Sequence, residues 1–464
     1  MSITIREYTP SDAEALARMW NESGVGWPDG WSRVPASDDY WLEELAQLDP
    51  LAIYLAVEDD RVVAYCELNE DSERPEVIWL DLINVHPSAW SRGVGRDLVR
   101  RGVALAIARG YRRMDLSTWS GNFRAVPLYK KCGFFWRPGT VVHMENYLPL
   151  LHAVPPCAQF FARHDWYRTM RRDLAVTEDD ERNGHIRGYH YRWEAEGETL
   201  AVFVDRLIDG VAAIETDRYA VRTAFESETL IAGQEGIAHW TIVNKGADEL
   251  DVVLVARGHG LAGGLERRLL VQERACVTLP VRADQSLAGP QPFVEAVVAI
   301  AGQFLTLRGS VPVLPAISVA TDPDTIGLTP RVPQLVRLLL TNNLAEPLTL
   351  LAGALPAEPT QEGLAWLQLP TPEGLTIDLP AQAVRLDPGR QEAVGCTLRA
   401  DYAGSFQTAP ALQVAAGGRA RPIESPPIAA LAVDQGTPVA GRDGEFVRVE
   451  NGTLRLWVAL KGGE

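Results

Sequence analysis

The sequence contains no run of 18 or more apolar residues, the length a helix needs to cross a bilayer. Its first ten residues, Met1 to Pro10, alternate polar and apolar side chains and make no basic-then-apolar leader. Both features lead to the expectation of a soluble, cytoplasmic protein with no membrane partner. Cysteine is scarce. Cys66, Cys132, Cys157, Cys276 and Cys396 are odd in number, widely spaced and without a C-x-x-C pair, so neither a disulfide framework nor a zinc ribbon is expected. The eight histidines show no H-x-x-x-H or His/Cys clustering, which leaves no metal site to expect. Basic residues are outnumbered, 44 Lys+Arg against 61 Asp+Glu for a net charge of −17. A nucleic-acid binder needs a basic surface to release counterions, so nucleic acid is excluded as a partner and a neutral or cationic one is favoured.

What is present is ordinary globular composition, 46% hydrophobic and 23% charged, over 464 residues. At roughly 100 to 200 residues per domain, that length predicts two to four domains. The charge is unevenly placed. Residues 1–91 hold 19 Asp+Glu against five Lys+Arg, whereas residues 92–150 hold three against 11. Chance segregation of surface charge is one account. The other is that the basic half holds an anion, such as a phosphorylated cofactor, and the acidic half faces something basic or uncharged.

Periodicity lays out the first third. Ile3 to Tyr8 alternates like a strand, and Ser11-Asp12 caps an amphipathic helix to Asn21. A loop with Trp27 and Trp31 follows, then a helix from Ser37-Asp38 to about Gln47. Strands are expected over Ala52–Glu58, Val62–Asn69 and Val77–Val85, with Asp59-Asp60 as a tight hairpin turn. Arg92–Arg109 reads as a helix ended by Gly110, Met114–Trp119 as a strand, Asn122–Lys131 as a short helix, and Phe134–Tyr147 as closing strands. The predicted fold class is a multidomain chain with an N-terminal α/β domain, its mixed sheet flanked by helices. All-β sandwich-like domains follow.

Beyond Pro149 one helix is expected over Pro156–Leu174, and from Tyr189 onward nearly every segment alternates at period two. Asp209-Gly210 is a hairpin signal between Leu200–Leu207 and Val211–Thr216. Two internal repeats stand out. Asn244 with Leu250 and Val252 recurs 98 residues later as Asn342 with Leu348 and Leu350, and Arg282-Ala-Asp284 recurs as Arg399-Ala-Asp401. The second copy is longer around Pro356–Pro380. Units of about 100 residues with short strands suit immunoglobulin-like sandwiches. The expected organisation is 1–150, an α/β domain; 151–225, a connecting helix and β-meander; 226–318 and 319–430, two sandwich repeats; and 431–464, a C-terminal hairpin around Asn451-Gly452.

The stretch from Val85 to Gly95 is the most informative. Gly93 and Gly95 let a ligand approach the backbone where a helix begins, and the first N–H groups of that helix point outward. Arg92, Arg96, Arg100 and Arg101 add positive charge. A P-loop would need Gly-Lys-Ser/Thr, and a dinucleotide fingerprint a third glycine where Leu98 stands; neither is present. Val85 and Pro87, Gly93 and Gly95, Asn122, Ala125, Leu128-Tyr129 and Gly133-Phe134 together resemble the pattern of the GNAT superfamily of acyl-CoA-dependent N-acyltransferases. The resemblance covers residues 1–150. Trp90 departs from it, standing where the family has Gln or Arg.

The resemblance implies a GNAT fold and acetyl-CoA as cosubstrate. The backbone of Arg92, Gly93, Val94 and Gly95, with Arg96, would hold its pyrophosphate. Ile83 and Val85 would pair with the pantetheine arm, and Asn122 would contact the same arm. Tyr129 matches the tyrosine that lies beside the thioester sulfur in many relatives. A phenol with a pKa of about 10 can protonate a thiolate of about 8.5, so general-acid work suits it. For the base, Asp81 is first choice, four residues before Val85 with the same strand parity, and Glu67 is second. Trp27, Trp31 and Trp41 lie where the superfamily shapes its acceptor pocket, and aromatics near carboxylates suit a cationic amine or amino sugar.

The leading reading is an N-acetyltransferase for a small amine, with the β-domains appended for docking or assembly. The alternative is a GNAT-like scaffold without turnover, whose β-domains bind a protein or carbohydrate partner. Residues 151–464 show no catalytic constellation of their own.

Overall fold

The computed structural model describes residues 3–26, 36–284, 289–323, 326–356, 361–416, 419–423, 425, 427–434, 439–443, 446–450 and 455–459. The chain opens with β1 (Thr4–Glu7), α1 (Ala13–Glu22), α2 (Asp38–Leu48), β2 (Ala52–Glu58), β3 (Arg61–Glu70) and β4 (Val77–Val85). It continues through α3 (Val94–Arg109), β5 (Arg113–Ser117), α4 (Ala125–Lys131), β6 (Phe135–Trp136) and β7 (His143–Asn146). These strands form one sheet in the order β1-β2-β3-β4-β5-β7-β6. Among the described residues of this sheet only β4 and β5 run parallel, because α3 carries the chain back between them. Asp59 and Asp60 turn β2 into β3 with φ of 47° and 63°, the left-handed pair a two-residue hairpin demands. The sheet is covered on both faces. Leu98, Val99 and Val103 of α3 pack with Cys66, Leu68, Ile78 and Leu80 on one side. Leu16 and Met19 of α1 and Trp41 of α2 pack with Leu55 and Tyr65 on the other.

The single helix expected over Pro156–Leu174 is broken. Leu148–His152, Pro155–Arg163 and Trp166–Thr169 are separate helices. His164 is extended at φ −129°, and the Asp165 carboxylate then accepts the N–H groups of Tyr167 and Arg168, starting a new turn. Met170 bridges to Trp193, which draws the chain out of helix toward the β-region.

That region begins with an eight-stranded sheet that runs spatially through 261–262, 274–283, 235–244, 219–225, 210–216, 198–205, 186–195 and 181–183. Facing it is a four-stranded sheet of 264–271, 250–259, 293–300 and 303–309. The sheet is continuous across residue 225, where sequence suggested a boundary, since Phe225 pairs with Ala238. The 98-residue repeat explains the shift. Tyr219 lies opposite Asn244, and Ile317 opposite Asn342, so the repeated unit starts at strand 219–225.

Both asparagines do the same work. Asn244 Nδ2 donates to the carbonyls of Asp248, Val271 and Gln272 while Oδ1 accepts from Gly246 N. Asn342 Nδ2 donates to Glu346 and Leu386 carbonyls while Oδ1 accepts from Leu344 N. The extra residues of the second unit become strand 364–368, which inserts beside 348–352 in parallel. The C-terminal hairpin pairs 446–450 with 455–459, and a third strand, 439–443, joins it. Asn451 and Gly452 lie outside the described residues.

One hydrophobic core runs from the α3 face of the N-terminal sheet through both sheets of the first β-unit, from Tyr54 to Val311. Polar contacts reinforce it. Tyr189 Oη donates to Glu145 at 2.7 Å and Tyr191 Oη to the Gly133 carbonyl at 2.9 Å. The second β-unit has a core of its own, built from Ile317, Leu340, Leu350, Leu367 and Leu398 among others.

Candidate active site

β4 and β5 pair only from Val77–Arg113 to Trp79–Asp115. Beyond that the two strands part, and β4 keeps a ladder partner on its β3 side alone. His86 N donates to Val63 O at 2.9 Å. In an antiparallel ladder the bonded residues alternate, so Asn84 and Leu82 also exchange bonds with β3. The N–H and C=O of Ile83 and Val85 are thereby directed at the open edge, as the expected pairing with an extended ligand arm requires. One of these groups is taken: Trp90 Nε1 donates to the Val85 carbonyl at 2.7 Å.

α3 starts at the foot of this opening. Gly93 sits at φ +83°, a conformation that costs any other residue. Asp97 N bonds Gly93 O at 3.0 Å, the first intrahelical bond, so the N–H groups of Val94, Gly95 and Arg96 precede the ladder and face outward. A Cβ on Gly95 would stand 3.2 Å from Leu128 Cδ2 and 3.6 Å from Val85 Cγ2, so glycine here lets α3, α4 and β4 converge. The arginines are less available than their sequence positions suggested. Arg92 forms a two-bond pair with Glu58 at 2.9 and 2.5 Å, and Arg96 Nε is 2.8 Å from Asp97 Oδ1. Asn122 is likewise engaged within the protein, its Nδ2 on Thr118 Oγ1 at 2.9 Å and its Oδ1 accepting from Ala125 N at 3.2 Å. The structure makes it a start signal for α4.

Tyr129 of α4 is buried, its ring 6.1 Å from Phe134. Burial pushes its phenol above the usual range, with the Cys66 and Cys132 thiols as lesser causes. It therefore keeps its proton at neutral pH.

On the opposite face lie the two carboxylates. The β3–β4 register shifts between Glu67 and Leu68, so that Leu82 opposes Glu67, Leu80 opposes Leu68, and Asp81 is the extra residue of a bulge. Strict alternation is lost there. Ile83 and Val85 pack toward α3, whereas Asp81 accepts a hydrogen bond from Asn69 Nδ2. The same-face relation of Asp81 to Val85 that parity predicts does not hold. Asn69 Nδ2 also donates to Glu67 Oε1 at 3.0 Å, and Tyr65 Oη donates to Glu67 Oε2 at 2.7 Å. Glu67 is buried, whereas Asp81 is exposed with its carboxylate held against Asn69. Withdrawal from water pushes the Asp81 carboxyl up, and the Asn69 bond opposes that.

Trp41 closes this side in an aromatic group, 5.3 Å from Trp20, 5.4 Å from Tyr65 and 5.5 Å from Tyr40 between ring centroids. Its Nε1, Asn69 Oδ1 and Asn84 Nδ2 are buried with no hydrogen-bond partner among the described residues. Trp27 and Trp31 fall outside the described residues. Sequence reasoning missed Asn69 and Asn84, which carry no motif, and Arg124, whose guanidinium carbon lies 4.9 Å from the Trp90 ring centroid.

Residues 15–134 match the family model described as "Acetyltransferase (GNAT) family". The N-terminal unit is a GNAT acetyltransferase domain. A mycothiol acetyltransferase of Cellulomonas flavigena is 27% identical over 140 residues, which are 28% of this chain and 40% of that protein. The match thus spans well under half the length of this curated relative. Solved structures similar to the GNAT domain include the PaiA N-acetyltransferase of Thermoplasma acidophilum in complex with coenzyme A. It is 21% identical and covers 32% of this chain and 99% of that one, with a TM-score of 0.28. The GNAT-family acetyltransferase of Streptococcus pneumoniae is 22% identical and covers 31% and 98%, with a TM-score of 0.27. Among the described residues of the protein, no group of three or more His, Cys, Asp or Glu is placed to hold a metal ion. No helix among them is long and apolar enough to cross a membrane.

Proposed function

We propose that the GNAT domain transfers an acetyl group from acetyl-CoA to the amine of a small cationic or amino-sugar acceptor. The observation that carries this reading is the parting of β4 from β5 beyond Trp79, with the α3 N-terminus and Tyr129 on one face of the opening and Asp81 on the other. The free backbone groups of Ile83, the N–H of Val85 and the outward N–H groups of Val94 to Arg96 fit an extended arm ending in phosphates. Acetyl-CoA supplies an activated acetyl carbonyl and a thiolate leaving group. Tyr129 holds a proton at Oη for the departing sulfur. Asp81, exposed and with its carboxyl raised, takes a proton from the acceptor's ammonium group directly or through water, and the freed amine attacks the acetyl carbonyl. The rings of Trp41 and Tyr40 and the Glu67 carboxylate favour a cation on that side. The β-units are proposed to bind a protein or carbohydrate partner.

The test is thiol release from acetyl-CoA over a panel of amino sugars, diamines and amino acids. Turnover with a cationic member supports the reading. CoA binding without turnover on any amine would leave the scaffold alternative.

A further inference from the structure

Four arginines crowd the start of α3, and three of them are neutralised. Arg92 is paired with Glu58, Arg96 with Asp97, and Arg100 with Asp165 at 3.1 Å. Arg101 lies over the Tyr54 ring at 5.2 Å, farther along the helix. A phosphate arriving at this turn would compete with a carboxylate for each paired guanidinium, which weakens the charge the sequence appears to offer.

Arg124 is different. It is exposed, it immediately precedes α4, and among the described residues no carboxylate comes within 4.0 Å of it. Its guanidinium lies over the indole of Trp90. That indole is fixed in turn, because Nε1 donates to the Val85 carbonyl at the end of β4. A guanidinium stacked on an aromatic ring keeps its N–H edge free while its plane is held. Trp90 also stands three residues before Gly93, in the turn that leads into α3, so the pair ties the cation that precedes α4 to the segment that opens α3.

We propose that Arg124, seated on Trp90, is the side chain that binds the diphosphate of the acyl carrier in this protein. The inference rests on the acetyltransferase reading above and deepens it. The polar side chain that Trp90 lacks is thereby supplied from α4, and the tryptophan serves as its seat.

The experiment is calorimetric titration of the full chain with CoA and, separately, with pantetheine, which lacks the diphosphate. Wild type, Arg124→Ala, Trp90→Gln and the double variant are compared. Hydrogen bonds to a charged group are the stronger kind, so Arg124→Ala is expected to weaken CoA about tenfold or more and leave pantetheine unchanged. Trp90→Gln in the Arg124→Ala background is expected to restore part of the loss, since the amide can reach the same turn. Wild-type CoA affinity in Arg124→Ala, or equal losses for CoA and pantetheine, would overturn this proposal alone. A wild-type protein that binds no CoA would overturn the acetyltransferase reading and this proposal with it. Because Arg124 is exposed, an unchanged melting temperature checks that the variant is folded.

Discussion

The Asp209 carboxylate closes on the Arg113 guanidinium at 2.5 Å, joining the turn of a β-region hairpin to the first residue of β5. Asp209 Oδ1 also accepts from Tyr147 Oη at 2.5 Å, and Arg113 makes two further bonds to Asp115 at 2.8 and 2.9 Å. The Arg113 side chain is only 5% exposed and the Asp209 side chain 32%. Removing one partner of a buried pair strands the other charge, which costs about 3–5 kcal/mol when both are fully buried. Because Arg113 keeps its two bonds to Asp115 and Asp209 is partly wet, Asp209→Ala is expected to cost less than that, about 2–3 kcal/mol. Urea unfolding should show the GNAT domain and the first β-unit moving to a lower midpoint together.

Gly93→Val and Gly95→Val are expected to abolish CoA binding for different reasons. Valine at 93 must adopt φ +83°, and valine at 95 places its Cβ against Leu128. Either change moves the outward N–H groups at the start of α3. Calorimetric titration with CoA reads the outcome, and wild-type affinity in both variants would remove the turn from the site.

Tyr129→Phe should lower kcat by about 100-fold, the contribution typical of a general acid, with CoA affinity nearly unchanged. Steady-state kinetics alongside CoA titration separate the two. Equal kcat in the phenylalanine variant would make Tyr129 a packing residue.

The pH profile reports on the base. Asp81 must be ionised to accept a proton, so kcat/KM is expected to fall as pH drops through its raised pKa. The Asn69 bond lowers that pKa, and Glu67, Tyr65 and Tyr40 face the same side. Asn69→Ala should therefore move the acidic limb to higher pH, and Asp81→Asn should remove it. A limb that stays in place in both variants would assign the base elsewhere.

Asn244→Ala and Asn342→Ala test the repeat. Each strands two or three carbonyls inside a β-unit, for an expected loss of roughly 1–3 kcal/mol. Asn342→Ala should shift only the transition of the second unit, whereas Asn244→Ala should shift that of the shared core. Differential scanning calorimetry distinguishes them.

Much of the N-terminal fold was legible because covered strands such as Ala52–Glu58 and Val77–Val85 open with apolar runs, Ala52–Val57 and Val77–Leu80. The glycine turn that opens α3 was legible because only glycine meets the geometry at 93 and the packing at 95. What failed did so for physical reasons. A bulge leaves no mark in composition, so the side chain of Asp81 could not be assigned a face. The bond that Asn122 Oδ1 accepts from Ala125 N is a further role that the family pattern does not announce. The boundary placed at residue 225 fell inside a sheet because strands that merely continue a ladder show no compositional break. Arg124 reads as one more surface arginine until Trp90 is seen beneath it.

The separate core of the second β-unit has a consequence for inheritance. Since Leu340, Leu367 and Leu398 are sheltered by their own neighbours, that module can be lengthened, swapped or dropped without reshaping the groove between β4 and β5. The added strand 364–368 is one such alteration already accommodated. The first β-unit has no such freedom, because its interior is continuous with that of the N-terminal sheet and α3. Diversity among chains of this design is therefore expected to accumulate toward the C-terminus, while the GNAT domain and the first β-unit travel as a pair.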